Sequence, residues 1–407
     1  MSFANAFLRR RGSGAVLAFV AVGLGACGGG DNSLAGPEPP PDEGQPPVAG
    51  CNSGTLEHGA LYQICFPANW NGDLVLYAHG YVQPGSPLAL PNDQVGGQSV
   101  SSTVNSLGYA YAATSYRANG LIAVEATEDM VELETTFRRL YRPDPGRSVI
   151  VGISEGGLVA ALTVERHPDR FDGALAACGP VGSFRRQLDY FDDFRVIFDY
   201  LFPGVIPGSP VDVPEDVPAR WDAVYAPAVV AALLTRPDAA RALIRITKAP
   251  VASDDLVAIA VTTVGLLWYN VVGSRDAQAR LGGQPYDNST RVYSGSSDDA
   301  ALNAGVARFT PDPPALAALA EFETSGNLMV PMVTLHTTGD PIVPFEQEAL
   351  YADKVSQSGA SVRLTQTALD RYGHCSFEAA ELFGAFDTLM EKVPRTAVTL
   401  APVSDNR

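Results

Sequence analysis

The residue with the clearest chemical potential is Ser154, which lies between glycines in Gly152-Ile153-Ser154-Glu155-Gly156. The motif directly follows the Val/Ile-rich run 148–153 and precedes an apolar stretch with helical spacing, so we predict a strand, a sharp turn and a helix. The glycines allow a tight turn where Cβ atoms would clash. A serine held at the start of a helix can act as a nucleophile whose oxyanion the helix N-terminus stabilises.

A serine hydroxyl needs a base to take its proton, and the chain has five histidines. We predict that His374 is this base, because it follows the last predicted strand and precedes the final helix. His79 ends an early strand and is assigned a structural role. His336 lies within an apolar strand, which indicates a core residue with its own partners. His58 lies in the N-terminal β-rich segment, and His167 at a helix end suits a surface position.

Asp340 is the predicted carboxylate that orients His374 and stabilises its cation. It follows a strand in Thr338-Gly339-Asp340-Pro341-Ile342-Val343-Pro344. The glycine and prolines indicate a loop at the carboxyl end of that strand, where the sites of α/β sheets gather. An ordinary aspartate that caps the following helix is the alternative.

Two backbone amides are predicted to stabilise the oxyanion. One is the amide of Glu155, directly after the nucleophile. The other is the amide of Tyr81 in His79-Gly80-Tyr81-Val82, with Val82 as the alternative. Gly80 would let this segment approach the substrate closely.

Strands and helices alternate from about residue 55. Strands are predicted at 74–79, 109–116, 148–153, 173–177, 331–336 and 361–369, and helices at 124–141, 157–167, 346–356 and 377–392. This alternation predicts an α/β fold with a mostly parallel sheet covered by helices on both faces.

The alternation stops in an aromatic-rich segment, 181–328, which carries helical patterns. We predict a mainly helical cap, inserted into a single sheet domain that is formed by residues 51–180 and 329–407. The cap contains an uncharged run, Leu256–Val272. This run is of marginal length for a membrane span, and a buried cap helix is the preferred interpretation.

The composition excludes one class of function. The chain has 407 residues, 46% of them hydrophobic, and a net charge of −17. Since nucleic-acid binding needs clustered Lys and Arg on a surface, we predict no nucleic-acid partner. The oligomeric state is not indicated by the sequence.

The N-terminus has the pattern of an export signal. Arg9-Arg10-Arg11 precede an apolar run of signal-peptide length that ends in Leu24-Gly25-Ala26-Cys27. This ending resembles the bacterial lipobox, in which cleavage precedes a lipidated cysteine. The resemblance implies a signal peptide at 1–26, lipidation of Cys27 and, with Gly28 next, an outer-membrane lipoprotein at the periplasmic or cell surface. Residues 27–50 are predicted to be a flexible Gly/Pro-rich tether, so the lipid would be the only membrane attachment.

Four cysteines remain if Cys27 is lipidated. An even number in an oxidising compartment predicts disulfides. Of the three possible pairings we favour Cys51–Cys65 with Cys178–Cys375, and four free buried thiols are the alternative. Their spacing matches no zinc motif.

The landmarks together resemble those of exported bacterial α/β-hydrolases of the serine esterase type. His79-Gly80, the turn at Gly152–Gly156, Asp340 in Gly-Asp-Pro-x-Val-Pro, and His374 occur in the order of that family. They cover roughly residues 55–393, with 181–328 where the family inserts its lid. The resemblance implies the α/β-hydrolase fold, a triad of Ser154, Asp340 and His374, and no metal or organic cofactor. It excludes the dehalogenases, which use an aspartate nucleophile.

A related comparison concerns Cys375. Tannase-like and feruloyl esterases have a cysteine beside the catalytic histidine that is bonded to one beside the serine. Ile153 stands beside the serine here, so that bridge cannot form. We expect Cys178, at the end of the strand after the serine's helix, to pin the His374 loop through Cys375 instead.

The leading prediction is hydrolysis of carboxylic esters, either small or polymeric, through an acyl-enzyme. The first alternative is a serine peptidase of the prolyl-oligopeptidase or prolyl-aminopeptidase type, in which cap carboxylates bind a substrate amine. We interpret the cap acids as the solvated face of a helix. The second alternative is a non-catalytic surface-binding lipoprotein. The acids concerned are Asp189, Asp192, Asp193 and Asp199.

Overall fold

The computed structural model describes residues 43–395. The predicted signal peptide, Cys27 and most of the predicted tether lie outside the described residues. The strands are β1 (Gly50–Thr55), β2 (Leu61–Phe66), β3 (Leu74–Ala78), β4 (Gln94–Val95), β5 (Gln98–Ser99), β6 (Ala110–Thr114), β7 (Ser148–Ile153), β8 (Gly173–Ala177), β9 (Met332–Gly339) and β10 (Leu364–Tyr372). The α-helices are α1 (Val100–Ser106), α2 (Ala123–Leu140), α3 (Glu155–Arg166), α4 (Phe184–Leu201), α5 (Asp216–Ala219), α6 (Ala226–Thr235), α7 (Pro237–Thr247), α8 (Leu256–Trp268), α9 (Arg275–Leu281), α10 (Asp299–Gly305), α11 (Pro313–Leu319), α12 (Glu346–Gln357) and α13 (Ala379–Lys392).

One sheet of eight strands has the order β1-β2-β6-β3-β7-β8-β9-β10. β2 pairs antiparallel with both β1 and β6, whereas every pair from β6 to β10 in this order is parallel. The carboxyl ends of β3 and β7 therefore lie side by side, at the edge where ligands of such sheets bind. The mostly parallel sheet predicted from the alternation is confirmed.

Helices cover both faces of this sheet. One face presents Leu74 and Ile150 to α2, α3 and α12, and the other presents Val75 and Val149 to α1 and α13. Neighbouring residues of one strand serve opposite faces, because side chains alternate along a strand. The buried strands are apolar on both sides for this reason.

Residues 181–328 contain α4 to α11 and contribute no strand to the sheet. Most of their apolar side chains form a second core, in which Phe194, Phe198, Leu243 and Leu266 are fully buried. The helices α9 and α11 instead pack into the core of the sheet domain. The segment is thus a helical layer with its own interior that is joined to the sheet domain at several points.

The helical stretch Leu256–Leu281 is long and apolar enough to cross a membrane, judged by length and composition alone. In its most apolar window, 44% is buried inside the protein. The stretch comprises α8, a π-helical segment (Tyr269–Ser274) and α9. Leu266 and Leu267 lie in the second core, so packing within the cap accounts for much of its apolar character.

Several boundaries differ from the sequence-based prediction; the last strand, for example, is Leu364–Tyr372 and not 361–369. The helix after the nucleophile begins at Glu155, because the turn at Ser154 leads straight into it. The folded part also begins before residue 51, since the backbone amides of Gly44 and Gln45 donate hydrogen bonds to the end of α2.

Candidate active site

Ser154 occupies the sharp turn between β7 and α3. Its φ of 59° and ψ of −125° are values that L residues rarely adopt. Glycine is required at both flanking positions, because a Cβ atom there would overlap backbone atoms. A Cβ on Gly152 would lie 1.8 Å from the carbonyl oxygen of Gly156, and a Cβ on Gly156 would lie 2.1 Å from that of Ala78. The motif therefore holds the serine hydroxyl in a fixed position at the start of a helix.

The structure brings together the three residues that the sequence suggested as nucleophile, base and acid. The Oγ atom of Ser154 lies 2.8 Å from Nε2 of His374. The Nδ1 atom of His374 lies 2.7 Å from Oδ2 of Asp340. One imidazole nitrogen thus faces a hydroxyl and the other a carboxylate, which is the arrangement needed to take a proton from the serine.

Several groups stabilise the charged form of Asp340, whose side chain is fully buried. Its Oδ1 atom accepts hydrogen bonds from the backbone amides of Ile342 (2.8 Å) and Val343 (3.0 Å). Burial acts to raise the pKa of Asp340, but His374 and His336 outweigh it and hold that pKa well below its usual value. Asp340 is therefore ionised at neutral pH.

The loop that carries His374 is anchored at several points. The hydroxyl of Thr337 donates a hydrogen bond to the carbonyl of Gly373 (2.6 Å), and the Gly373 amide donates to the end of β9. A disulfide joins Cys375 to Cys178, which directly follows β8. The base is thus tied to the strand beside the one that ends at the nucleophile.

The other two predicted disulfide partners, Cys51 and Cys65, are also bridged. They lie directly opposite each other in β1 and β2. Both bridges match the favoured pairing, and the alternative of four free thiols is wrong.

The residues predicted to supply oxyanion donors belong to the two segments that meet at Ser154. Glu155 follows it as the first residue of α3. Gly80 brings the segment after β3 against the serine, since a Cβ on Gly80 would lie 3.2 Å from the Cβ of Ser154, and Tyr81 comes next. The hydroxyl of Tyr81 reaches the cap, 3.4 Å from a carboxylate oxygen of Asp276 on α9.

The side chain of Glu155 is buried behind the nucleophile. Its carboxylate accepts a hydrogen bond from the backbone amide of Ile122 (3.1 Å). Burial raises the pKa of Glu155 to about 8, against the effect of that bond and with a further contribution from the charge of Asp276. A largely neutral carboxylic acid therefore lies next to the site at pH 7, a feature that the sequence did not reveal.

Four aromatic side chains pack together near the site, and we call this cluster the aromatic roof: Tyr81, Phe191, Trp268 and Tyr269. The ring of Tyr269 stacks on that of Phe191, with centroids 5.0 Å apart, and the rings of Trp268 and Tyr81 meet edge to face at 6.2 Å. Burial, together with the charges of Asp340 and Glu155, raises the pKa of Tyr269, so this residue lies within electrostatic reach of the site. Tyr269 also begins the π-helical segment, and such segments are frequent at functional sites.

The cap is fastened to the loops that carry the acid and the base. The hydroxyl of Tyr190 donates to the carbonyl of Pro341 (3.0 Å), the residue after the triad acid. The hydroxyls of Thr262 and Tyr372 are hydrogen-bonded at 2.8 Å, two positions before His374. These contacts connect two cap helices, α4 and α8, to the site.

The cap aspartates do not form a solvated face. Asp189 and Asp192 are buried, so the interpretation of a solvated helix face is wrong for these two residues. They can be buried because groups inside the protein bind their carboxylates. These partners also leave the acids poorly placed to bind a substrate amine. The pairs are Asp189–Arg291, Asp193–Arg291, Asp192–Asn270 and Asp199–Arg195.

Two groups among residues 43–395 have the spacing of metal ligands. One consists of His374 with Cys178 and Cys375, whose sulfurs are joined to each other and supply no thiolate. The other consists of His58, Asp129 and Glu132, and here both oxygens of Asp129 already accept hydrogen bonds from Arg117.

The sequence around the nucleophile is similar to a known family. Residues 101–195, which include Ser154 but not Asp340 or His374, match the model of the prolyl oligopeptidase family. No curated protein matches the chain significantly.

Among solved structures, several hydrolases are similar to this chain at low identity. The acylaminoacyl peptidase of Pyrococcus horikoshii is 11% identical over 86% of this chain and 43% of its own, with a TM-score of 0.43. A puromycin-hydrolyzing peptidase of Mycobacterium tuberculosis is 12% identical over 87% and 41%, with a TM-score of 0.45. Brefeldin A esterase, described as a bacterial homologue of human hormone sensitive lipase, is 12% identical over 88% and 77%, with a TM-score of 0.41. The chain spans less than half the length of the two peptidases.

The protein has the α/β-hydrolase fold. The order of its sheet, the turn at the end of β7, and the positions of Asp340 after β9 and of His374 after β10 agree with that fold. With the family match around the nucleophile, these features are those expected of a serine hydrolase.

Proposed function

We propose that the protein hydrolyses amide bonds of short peptides or peptide-like compounds through an acyl-enzyme. The observation that carries this proposal is the continuous chain of hydrogen bonds from Ser154 through His374 to Asp340. Ser154 attacks the carbonyl carbon as His374 takes its proton. The amides of Glu155 and Tyr81 stabilise the oxyanion. His374 then protonates the leaving amine, and a water molecule cleaves the acyl-enzyme by the same steps.

The preference for an amide bond rests on the similarity of residues 101–195 to the prolyl oligopeptidase family. The carboxylates of the cap indicate which amino ends a peptide substrate can have. Binding a free amino terminus needs an uncompensated carboxylate, and the four cap aspartates are engaged by internal partners. We therefore expect substrates whose amino end is acylated or otherwise uncharged.

Carboxylic ester hydrolysis is the second candidate. An ester substrate need not carry an amino group, so its binding does not require an unpaired carboxylate in the cap. The internal pairing of the cap aspartates is compatible with such a substrate. The triad chemistry is the same for both bonds.

The aromatic roof favours an uncharged, apolar acyl group. Aromatic side chains bury large areas and prefer edge-to-face or offset contacts with other rings. A phenyl-bearing acyl group would find such contacts at Tyr81, Trp268 and Tyr269. A charged group would have to be desolvated beside the ionised Asp340.

The decisive experiment compares two substrates with one acyl group, N-acetyl-phenylalanine p-nitroanilide and the corresponding p-nitrophenyl ester. The amide proposal expects both to be cleaved, with the ester faster because it is intrinsically more reactive. Cleavage of the ester alone, across several acyl groups, would support the second candidate and overturn the first.

Two controls complete this experiment. Ser154→Ala should abolish both reactions. Labelling by a fluorophosphonate tests for an active nucleophile whatever the substrate. A wild-type protein that neither turns over nor labels would be a non-catalytic binding protein, and all of the proposed chemistry would be wrong.

We also propose that the protein is exported and anchored by lipid at Cys27. The motif at residues 24–27 motivates this proposal, and the two disulfides among the described residues suit an oxidising compartment. Fractionation of cells that express the wild type or Cys27→Ala tests it. Membrane association is expected for the wild type alone, and equal partitioning of both would contradict the lipid anchor.

A further inference from the structure

A second histidine, His336, contacts the triad acid. Its side chain is fully buried, and its Nε2 atom lies 3.5 Å from Oδ2 of Asp340. The same oxygen faces Nδ1 of His374 at 2.7 Å. Nε2 of His336 and Nδ1 of His374 both contact this oxygen, so these two nitrogens are at most about 6.2 Å apart. The mechanism proposed above assigns no role to His336.

Both ring nitrogens of His336 face hydrogen-bond acceptors. The Nδ1 atom lies 3.1 Å from Oε1 of Glu348, and the Nε2 atom lies 3.0 Å from the carbonyl oxygen of Val343. A carbonyl or an ionised carboxylate cannot donate, and a neutral imidazole carries a single N–H. Satisfying both acceptors therefore requires a ring with protons on both nitrogens.

Glu348 is held in place by further hydrogen-bond donors. Its Oε2 atom accepts hydrogen bonds from the hydroxyl of Thr334 and from the side-chain amide of Gln366 (2.6 Å). Glu348 is thus fixed with its Oε1 atom toward Nδ1 of His336.

The charged groups that face His336 are Asp340, from the loop after β9, and Glu348, from α12, and His374 lies beyond Asp340. The ring of Phe345 packs edge to face against that of His336, and Gln366 on β10 contacts Glu348. Burial acts to lower the pKa of His336, but the bonds to Asp340 and Glu348 outweigh it and raise that pKa to about 9. The ring therefore carries a positive charge at neutral pH.

We propose that His336, held as an imidazolium between Glu348 and Asp340, is a positioning residue that keeps His374 in its neutral, proton-accepting form at mildly acidic pH. A positive charge no more than about 6 Å away opposes the protonation of His374. It also compensates part of the charge of Asp340 and helps to hold the oxygen that orients the base. This inference rests on the proposed function, because it assigns His374 the role of base.

The test is the pH dependence of fluorophosphonate labelling in the wild type and in His336→Gln. Labelling requires neutral His374, so its rate falls toward acid pH. In the variant the midpoint of this fall is expected about one pH unit higher, because the opposing positive charge is gone. A merely structural role for His336 would lower the amount of folded protein without moving the midpoint, and an unmoved midpoint overturns the inference.

A matched control is His167→Gln, which makes the same change at the end of α3, where no contact with the triad occurs. Its midpoint should equal that of the wild type. If the wild type does not label at any pH, the proposed function is wrong. If the wild type labels but His336→Gln leaves the midpoint unchanged, only the inference about His336 is wrong.

A second measurement covers the case in which His336→Gln does not fold. Nitrogen NMR of histidine-labelled wild-type protein reports the protons on each ring. Both nitrogens of His336 are expected to carry protons at pH 7. A neutral ring with one N–H, as would follow if the proton resided on Glu348, overturns the inference.

Discussion

The hydroxyl oxygen of Ser154 lies 2.8 Å from Nε2 of His374, although 220 positions separate the two residues in the chain. Each is held independently, the serine by the turn between β7 and α3 and the histidine by the loop after β10. Catalytic geometry tolerates deviations of only about 0.5 Å. Activity should therefore depend on the groups that hold these loops as well as on the reacting groups.

Asp340→Asn should lower kcat roughly 10³- to 10⁴-fold. The amide retains an oxygen that can accept from the backbone amides of Ile342 and Val343, so the fold should persist. It removes the charge that orients His374 and stabilises its cation. Steady-state kinetics beside circular dichroism checks this, with the exposed Asp370→Asn as the control on β10. Loss of less than tenfold would exclude Asp340 as the triad acid.

The two disulfides should differ in what their removal does. Replacing both Cys178 and Cys375 by Ala should cost about 5 kcal/mol of unfolding free energy and should lower kcat, because the closed loop is long and the bridge holds the residue next to His374. Replacing Cys51 and Cys65 should cost about 3 kcal/mol, since that loop is short.

Urea unfolding and p-nitrophenyl ester kinetics separate these effects. The Cys51 and Cys65 double variant should retain kcat under conditions where it is folded. A Cys178 and Cys375 double variant with wild-type kcat would show that the bridge does not hold the base in place.

Glu155→Gln should stabilise the protein in a pH-dependent manner. Folding raises the pKa of Glu155 from 4.5 to about 8, so the folded state is penalised once the carboxyl group of the unfolded chain ionises. The penalty appears above about pH 4.5, grows as the pH rises, and levels off above about pH 8. Glutamine removes it.

The expected gain for Glu155→Gln is about 2–4 kcal/mol at pH 8.5 and near zero at pH 4. Thermal unfolding at the two pH values measures it. The exposed Glu391→Gln on α13 is the control and should show no such difference. A Glu155→Gln variant that is destabilised equally at both pH values would contradict a neutral carboxyl group at this position.

Trp268→Ala should change substrate preference more than overall activity. Removing this ring from the aromatic roof should lower kcat/KM for phenylacetyl substrates about 10-fold or more relative to acetyl substrates, because the larger acyl group loses its aromatic contact. Val257→Ala, at an exposed position of the same helix, is the control. Equal losses for both substrates would indicate that the roof is structural and does not line the acyl site.

Much of the site could be anticipated because its parts have local signatures. The nucleophile turn depends on glycines at positions 152 and 156, where a Cβ would overlap backbone atoms. Asp340 and His374 follow strands whose apolar character indicates burial in a parallel sheet. The pairing of Cys178 with Cys375 followed from their shared edge of that sheet.

Other features had no local signature. From the sequence, the aspartates of α4 could face solvent, bind a substrate or bind other groups of the protein. Only the tertiary structure shows that they bind internal partners such as Arg291 and Asn270. The buried carboxyl of Glu155 looks in the sequence like any charged residue at the start of a helix.

The sequence by itself determined the alternation of the parallel strands with their helices, the tight turn at Ser154 and the candidates for acid and base, because these depend on periodicity and on steric limits within a few residues. The tertiary structure determined which residues, although distant in the sequence, lie close together. The contact of His336 with Asp340, the aromatic roof and the protonation of Glu155 are of this kind, since burial and neighbouring charges set them and both arise only when separate elements pack together.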